Sequence, residues 1–228
     1  MIKTLSRYPL AAAAIAAIAF QASSKAAQAH SLEEAYVDQR AVETHPSQGD
    51  VRTVNGATAT LVTTKRGAFV SVVTHELTPG NAYTLWWVVI NKPGACENSP
   101  CSPDDVMQRM DVTKADVGYA DGLIAGEGGI GHFTSHLPVG PIPQAWYDNG
   151  LENPQGAEIH LIINDHGPLL PDMARSMLGS ARGGCTDESL PEMFPAIAKA
   201  DGTPGPNTCR LVQAAIFTQL PMTRAATQ

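Results

Sequence analysis

The residue with the sharpest chemical meaning in this chain is His30, because it follows a segment with the features of a secretory leader. A basic start precedes an apolar run at residues 10–20, and Ala27-Gln28-Ala29 is a small-x-small cleavage sequence. Cleavage after this tripeptide gives His30 a free α-amine beside its imidazole, and these two nitrogens together chelate a metal ion. With a second imidazole from the folded domain, the three nitrogens suit Cu(II). The sequence therefore predicts a signal peptide at residues 1–29 and a candidate copper ligand at His30.

Two internal histidines are the best candidates to supply the second imidazole. His160 lies in the apolar run 157–164, where alternation places it on the same strand face as Glu158. His166 follows where this strand is expected to end. We expect His160 and His166 to form the internal metal or small-ligand locus. The three-nitrogen site resembles those of copper monooxygenases and of some periplasmic copper carriers, in this respect alone. The alternative is that both imidazoles hydrogen bond to backbone carbonyls at a sheet edge.

A second pair of histidines, His132 and His136, has the spacing H-x-x-x-H. On a helix this spacing brings two imidazoles to one metal ion, but the surrounding residues 131–138 have the pattern of a strand. Four residues along a strand span about 13 Å at ~3.3 Å per residue, which is too far for two ligands of one ion. The pair is therefore not predicted to form a metal site by itself.

Known catalytic motifs are missing from the sequence after residue 29. This part contains no G-x-S-x-G and no H-E-x-x-H. Residues 126–131 match G-x-G-x-x-G, but dinucleotide binding requires a helix after the glycines, and a strand pattern follows them here. The sequence predicts a glycine-rich hairpin turn at 126–131, and it favours a protein without catalytic activity over an enzyme.

The four cysteines are expected to form disulfides in an oxidising compartment. Three pairings are formally available. We favour Cys96 with Cys101, which share a short Pro/Asn/Ser-rich loop, and Cys185 with Cys209, which would close a long segment. A zinc site is the alternative, but a C-x4-C pair with the other two cysteines 24 residues apart is a poor match to zinc-ligand spacings.

The charge of the chain restricts its partners and its location. Residues 1–29 carry three basic and no acidic side chains, so the remainder has a formal net charge of −10, against −7 for the whole chain. A negative surface repels phosphate backbones and anionic lipid headgroups. No later apolar run approaches the ~18 residues that a membrane span requires. We expect a periplasmic or secreted protein that, after signal cleavage, binds neither nucleic acid nor membrane.

Period-two hydrophobic patterning predicts about seven strands after residue 56, and the weakly periodic residues 30–56 leave room for one strand. Residues 82–91 are apolar on both faces, as in a central strand buried on both sides, and Trp86 and Trp87 are expected in the core. Trp146 and Tyr147, in a Pro/Gly-rich loop, are interpreted as an exposed aromatic pair. The expected strands are 57–63, 68–77, 82–91, 123–125, 132–137, 157–164 and 211–219, and the expected short helices are 106–110 (after an N-cap at Ser102), 171–178 and 188–200.

The stretch Leu77-Thr78-Pro79-Gly80-Asn81-Ala82-Tyr83 resembles the tyrosine corner of fibronectin type III domains, in which the Tyr hydroxyl bonds back to the preceding turn. The segments AFVSVVTHELTPGNAYTLWWVVINKP and GAEIHLIINDHGP are similar to parts of uncharacterised secreted bacterial β-sandwich proteins with no assigned chemistry. These resemblances imply an all-β, immunoglobulin-like sandwich. We divide the chain into signal peptide (1–29), N-terminal arm (30–56), sandwich domain (57–219) with a disulfide-stapled insertion, and tail (220–228).

Two functions stay open from the sequence, with a third as a residual. The first is a non-catalytic binding or structural module, whose partner is a small ligand or another extracytoplasmic protein. The second is a copper-binding protein or copper-dependent oxidase that uses His30 with His160, His166 or another imidazole. The residual is a hydrolase with dispersed carboxylates.

Overall fold

The computed structural model describes residues 34–218 and the backbone of residues 223 and 224. The prediction of an all-β chain is confirmed, because strands form most of the regular structure in this part. The strands are β1 (Tyr36–Thr44), β2 (Thr53–Thr64), β3 (Gly67–Thr74), β4 (Asn81–Ile90), β5 (Ala115–Ile124), β6 (Gly131–Pro138), β7 (Glu158–Pro168), β8 (Arg210–Phe217) and β9 (Thr223–Arg224).

Eight of these strands follow one hydrogen-bonded path in the order β5-β4-β7-β8-β1-β2-β3-β6, and β9 pairs with β1. All the pairings are antiparallel. The two ends of the path approach each other, since the backbone N–H of Thr134 on β6 donates to Asp121 Oδ2 on β5 at 2.8 Å. The glycine-rich segment 126–131 joins β5 to β6 as a turn, but these strands are the two ends of the path. The prediction of a hairpin is therefore wrong in its pairing.

The sheet has two differently covered faces in its β5-β4-β7 region. The core face packs against residues from β2, β3 and β6, and on β4 and β7 it carries Leu85, Trp87, Ile159, Leu161 and Ile163. The opposite, covered face carries Trp86, Val88 and His160. Because both faces are covered, β4 is buried along its whole length, which confirms its prediction as a central strand.

Three segments cover the second face. One is the connection between β6 and β7, and the other two are longer excursions from the sheet. The first excursion, residues 91–114 between β4 and β5, contains α1 (Pro103–Met107) and α2 (Met110–Thr113). The second excursion, residues 169–209 between β7 and β8, contains α3 (Ala174–Met177) and α4 (Ala196–Ala200). Single 3-10 turns lie at Pro46–Gln48, Pro93–Ala95, Pro171–Met173 and Asp187–Ser189.

Both predicted disulfides are present, one in each excursion. Cys96 is bonded to Cys101, and Cys185 is bonded to Cys209. The predicted N-cap at Ser102 is also confirmed, since Ser102 and Asp105 form a reciprocal capping box at the start of α1. No helix among the described residues is long and apolar enough to cross a membrane.

The N-terminal arm contains the one strand for which its weak periodicity leaves room, and also the start of a second. β1 and the first residues of β2 fall within residues 36–56, in the predicted N-terminal arm, and β1 pairs with β2 over most of its length. β5 is also longer than its predicted part, 123–125. The signal peptide, His30 and most of the tail at 220–228 lie outside the described residues.

Glycines explain why most of β5 escapes prediction. Glycine lowers strand propensity, and Gly118 and Gly122 both lie in this strand. A Cβ at Gly118 would collide with the Ile142 side chain, and a Cβ at Gly122 would collide with the backbone oxygen of Leu178. These two positions lack side chains because other segments pack directly on the strand.

Candidate functional site

His160 is part of a buried connection between β7 and the first excursion. Its Nε2 donates to Glu158 Oε1 at 2.6 Å, and the same oxygen accepts the backbone N–H of Cys101 at 2.7 Å. All three residues are buried. The Glu158 carboxylate therefore fastens the disulfide loop to the sheet, and His160 supports that carboxylate.

His166 belongs to a second buried network, at the other end of β7. Its Nδ1 donates to the backbone oxygen of Gly183 at 2.8 Å, and its Nε2 accepts from Thr84 Oγ1 at 2.8 Å. Thr84 Oγ1 in turn accepts from Trp86 Nε1 at 2.8 Å. Each ring nitrogen thus has a partner that matches the neutral imidazole. Burial lowers the pKa of His166 from 6.5 to about 4, although the bond to Gly183 and the charge of Asp165 oppose this shift.

The neighbouring Asp165 anchors the tyrosine corner. Tyr83 Oη accepts the backbone N–H of Thr78 at 2.8 Å, which is the bond expected from the resemblance, and donates to Asp165 Oδ2 at 3.3 Å. Asn81 Nδ2 and the backbone N–H of Gly167 also donate to this carboxylate. Burial and the charge of Asp165 raise the pKa of the Tyr83 hydroxyl. The role of Asp165 is not evident from the sequence. Two of its partners, Asn81 and Tyr83, lie on the neighbouring strand β4, which is more than 80 residues earlier in the chain.

The predicted pairing of His160 with His166 in one metal locus does not occur. Both lie on β7, six residues apart, which corresponds to about 20 Å at ~3.3 Å per residue. His132 and His136 are exposed on β6, so their prediction as strand-spaced residues is confirmed. These four imidazoles therefore do not converge on one ion.

One group of potential metal ligands surrounds His166. Ligand atoms of His166, Cys185 and Cys209 lie within 4.8 Å of one another, and all three residues are buried. The two sulfurs are bonded to each other, so they are not thiolates. Zinc and copper bind thiolate sulfur, and the oxidised pair offers none. This cluster is a buried disulfide beside a hydrogen-bonded imidazole.

The segment between β6 and β7 is held against the sheet by a buried carboxylate. Asp116 on β5 is fully buried and accepts backbone N–H groups from Tyr147 at 3.1 Å and Gly150 at 2.7 Å. The backbone N–H of Trp146 donates to Val117 at 3.0 Å. These bonds hold Trp146 on the covered face, where the residue is only 8% exposed. The prediction of an exposed aromatic pair is therefore wrong for Trp146.

Trp146 packs between two other aromatic rings. Its centroid lies 4.8 Å from that of Phe194 in the second excursion and 5.8 Å from that of Trp86 on β4. Such offset and edge contacts stabilise aromatic clusters beyond their buried area. Within the described residues, Trp146 Nε1 is one of two buried side-chain polar atoms without a hydrogen-bond partner, and the other is Arg182 Nε.

Two open grooves lie among the described residues, one on the second excursion and one between that excursion and the segment that connects β6 to β7. The larger has a volume of about 400 Å³, and its lining includes Arg175, Ser176 and Thr203. The smaller, about 290 Å³, lies next to Trp146; we call it the Trp146 groove, and it is lined by Gln144, Trp146, Ile197, Ala200 and Asp201. Neither groove is evident from the sequence, because each combines residues that are distant in the chain.

Comparison with known protein families, with curated proteins and with solved structures finds no match to this chain.

Proposed function

We propose that this protein is an exported, non-catalytic binding module whose binding surface is built by the segments that cover the sheet. The observation that carries the proposal is that the buried polar side chains bond to the backbone of loops or to one another. Glu158, His160, His166 and Asp116 all hold loops against strands. Residues used in this way support a platform of fixed loops, and the two grooves lie on that platform.

Export is part of the same proposal. It is supported by the leader-like residues 1–29 and by the two disulfides, which form in oxidising compartments. A protein expressed with its own leader should lose those residues, and intact-mass measurement of the exported product will identify the new N-terminus. Retention of the whole leader in the mature protein would count against export by cleavage.

The immunoglobulin-like sandwich is our proposal for how the strands are arranged, with a closed, barrel-like sheet as the alternative. The bond between Thr134 and Asp121 supports closure, whereas the tyrosine corner supports the sandwich. The backbone N–H groups of β5 that do not bond to β4, and those of β6 that do not bond to β3, distinguish the two arrangements. Protection of these groups from hydrogen exchange would favour the closed sheet.

Binding is tested on the mature, oxidised protein by ¹H–¹⁵N correlation spectra. The probes are chemically distinct: a neutral sugar, a free amino acid, inorganic phosphate and a hydrophobic peptide. We expect saturable shifts confined to the second excursion and to residues 139–157. Shifts confined to β1, β2 and β3, or no saturable shift with any probe, would contradict a binding surface on the excursions.

Copper binding through His30 is the second candidate function. The observation that favours it concerns an accessible imidazole: Val37, Val62, Phe69 and His136 form one row across β1, β2, β3 and β6. Three strand spacings of ~4.8 Å separate Val37 from His136 by about 14 Å. The seven Cα-to-Cα steps from His30 to Val37 would span about 23 Å in an extended chain at ~3.3 Å per step, so His136 is within reach.

Electron paramagnetic resonance tests this second candidate. Mature protein with His30 at its N-terminus should give a nitrogen-rich Cu(II) spectrum, and His136→Gln should weaken it, whereas His132→Gln serves as the matched control. Cleavage elsewhere than before His30, or a spectrum without nitrogen coupling, would remove copper binding from consideration.

A further inference from the structure

We infer that the reduced form of this protein binds a zinc ion through His166, Cys185 and Cys209, at the place that the second disulfide occupies in the oxidised form. Two thiolates and one imidazole are an established zinc ligand set. The metal ion would then close the same separation of 24 residues that the covalent bond closes. This inference goes beyond the proposed binding function, because it concerns how the second excursion is held and not what its surface contacts.

The ligand atoms of these three residues are already close to one another. They all lie within 4.8 Å, and Cys185 Sγ is 3.5 Å from His166 Nδ1. In a tetrahedral zinc site, with Zn–S bonds of ~2.3 Å and Zn–N bonds of ~2.0 Å, a sulfur ligand and a nitrogen ligand lie about 3.5 Å apart. The distance between this sulfur and this nitrogen is therefore that of two ligands of one zinc ion.

The two sulfurs need only a small movement once the bond between them is broken. Two thiolates on a tetrahedral zinc ion lie about 3.8 Å apart, against ~2.0 Å in a disulfide. The Cα atoms of Cys185 and Cys209 are 5.4 Å apart, so side-chain rotation supplies this separation without moving the backbones apart. A fourth donor lies beside them, since the backbone oxygen of Gly183 is 2.8 Å from His166 Nδ1 and 3.6 Å from Cys185 Sγ.

His166 can offer a lone pair to the metal ion and keep its contact with β4. Its Nδ1–H now donates to Gly183, and its Nε2 accepts from Thr84 Oγ1 at 2.8 Å. Zinc at Nδ1 requires the other tautomer, in which Nε2 carries the proton and donates to Thr84 Oγ1. A hydroxyl both accepts and donates, so Thr84 suits either tautomer. Zinc-bound imidazoles typically donate their other N–H in this way, which fixes the orientation of the ring.

The redox step is a thiol–disulfide exchange. A dithiol reductant supplies two electrons and two protons: its own sulfurs join in a disulfide, while the bond between Cys185 and Cys209 breaks and both become thiols. Zn²⁺ then displaces the two thiol protons. Both cysteines are buried, so a reductant reaches them only when the second excursion opens. A chain that folds with free thiols forms the zinc site without that step.

The test refolds a mature protein in which Cys185 and Cys209 are the only cysteines, the double variant Cys96→Ser/Cys101→Ser. This protein is unfolded in urea with a phosphine reductant and refolded by dilution in the presence of Co²⁺, the spectroscopic substitute for Zn²⁺. We expect the absorption bands of tetrahedral, thiolate-bound Co²⁺ at one ion per chain, and their loss when Zn²⁺ is added. The same protein in its oxidised form should give no such bands.

Two variants and one control in this background assign the imidazole ligand. His166→Gln should weaken Zn²⁺ binding by more than the ~10–100-fold that loss of a hydrogen-bond partner of a zinc ligand costs. Thr84→Val keeps all the ligands and removes the oxygen that accepts from Nε2, so it should weaken binding by about 10–100-fold. His160→Gln, about 20 Å away along β7 at ~3.3 Å per residue, should bind Zn²⁺ as the background protein does.

A second measurement follows the thiols themselves. Bound Zn²⁺ should slow the re-formation of the Cys185–Cys209 disulfide in air, which alkylation and mass measurement at timed intervals will quantify. Refolded, reduced protein without thiolate bands in Co²⁺ would overturn the inference, as would a reduced protein that stays unfolded in excess Zn²⁺. Equal Zn²⁺ affinities of His166→Gln and His160→Gln would remove the imidazole from the site and so overturn the three-residue ligand set.

Discussion

At the residue scale, the conspicuous polar side chains are connected to backbone groups. His166 bonds to Gly183, Glu158 to Cys101, and Asp116 to Tyr147 and Gly150. A buried polar group is stable only when it is hydrogen bonded, so each of these residues both requires and fixes the loop that it contacts. Their removal should therefore affect stability before it affects any surface property.

His166 should make stability depend on pH in the acidic range. Its pKa is about 4 in the folded protein and 6.5 without the fold, so the unfolded state binds more protons between these values. His166 therefore contributes up to about 3 kcal/mol to the free energy of unfolding above pH 6.5. This contribution is lost as the pH falls towards 4. Urea unfolding at a series of pH values measures it.

The variant His166→Gln should be less stable at neutral pH and show a smaller slope between pH 6.5 and 4. The slope that remains reports other groups, among them His45, whose pKa is also lowered by burial. An unchanged slope in His166→Gln would mean that His166 is not the group that titrates.

At the element scale, short helices and loops are attached to the sheet by caps and by close packing. α1 has only five residues, so its stability depends on its ends and on its contacts. Burial alone would raise the pKa of Asp105, but bonds from the backbone N–H groups of Glu97 and Ser102, from the Ser102 hydroxyl and from Arg109 lower it to about 2. Asp105 is therefore ionised in the folded protein at neutral pH.

Asp105→Asn should reduce the free energy of unfolding by about 1–3 kcal/mol, because the amide accepts fewer bonds and loses the charge that pairs with Arg109. The matched control is Asp104→Asn on the same helix, where the side chain is exposed and its carboxylate accepts a bond from Gln108. Chemical denaturation compares the two variants. Equal losses would show that the buried cap has no special role.

Gly122→Ala should lower stability by about 1–3 kcal/mol, since a methyl group would meet the backbone oxygen of Leu178. The displaced segment carries the end of α3, so hydrogen exchange should increase there. Gly126→Ala is the control, because its added Cβ meets nothing within 4 Å. If both variants unfold alike, close packing on β5 is not the reason for its glycines.

At the scale of the whole molecule, the sheet is continuous while its covering segments are long and contain little regular structure. The two disulfides stabilise the fold by lowering the conformational entropy of the unfolded chain. Cys185–Cys209 closes a separation of 24 residues and Cys96–Cys101 one of 5. Loop-closure entropy grows with the logarithm of this separation.

Replacing both cysteines of a pair by alanine should cost about 3 kcal/mol for Cys185–Cys209 and about 2 kcal/mol for Cys96–Cys101. Thermal and urea unfolding without reductant measures both. The loss of the long link should also increase proteolysis within residues 186–208 before global unfolding. A larger loss for the short link would show that native packing, rather than chain entropy, determines the effect.

The sequence by itself determined the all-β class, both disulfides, the N-cap at Ser102 and the burial of β4. Each of these depends on local patterns: alternation of apolar residues, spacing of cysteines or the chemistry of a helix start. The bond from Thr78 to Tyr83 is equally local. Such features are predictable because the interacting groups are near one another in the chain or share a simple period.

Only the tertiary structure decided the course of β5, the burial of Trp146, the partners of His166 and the two grooves. In the sequence, Gly118 and Gly122 argue against a strand. In the folded protein, Ile142 and Leu178 occupy the space that side chains at these two positions would need. The sequence around Trp146 predicts an exposed loop. In the folded protein, Asp116 bonds to the backbone of this loop and holds it against the sheet. In each case the deciding groups come from segments that are distant in the chain and come into contact only in the folded protein. Those contacts determine which side chains are buried and which hydrogen bonds form.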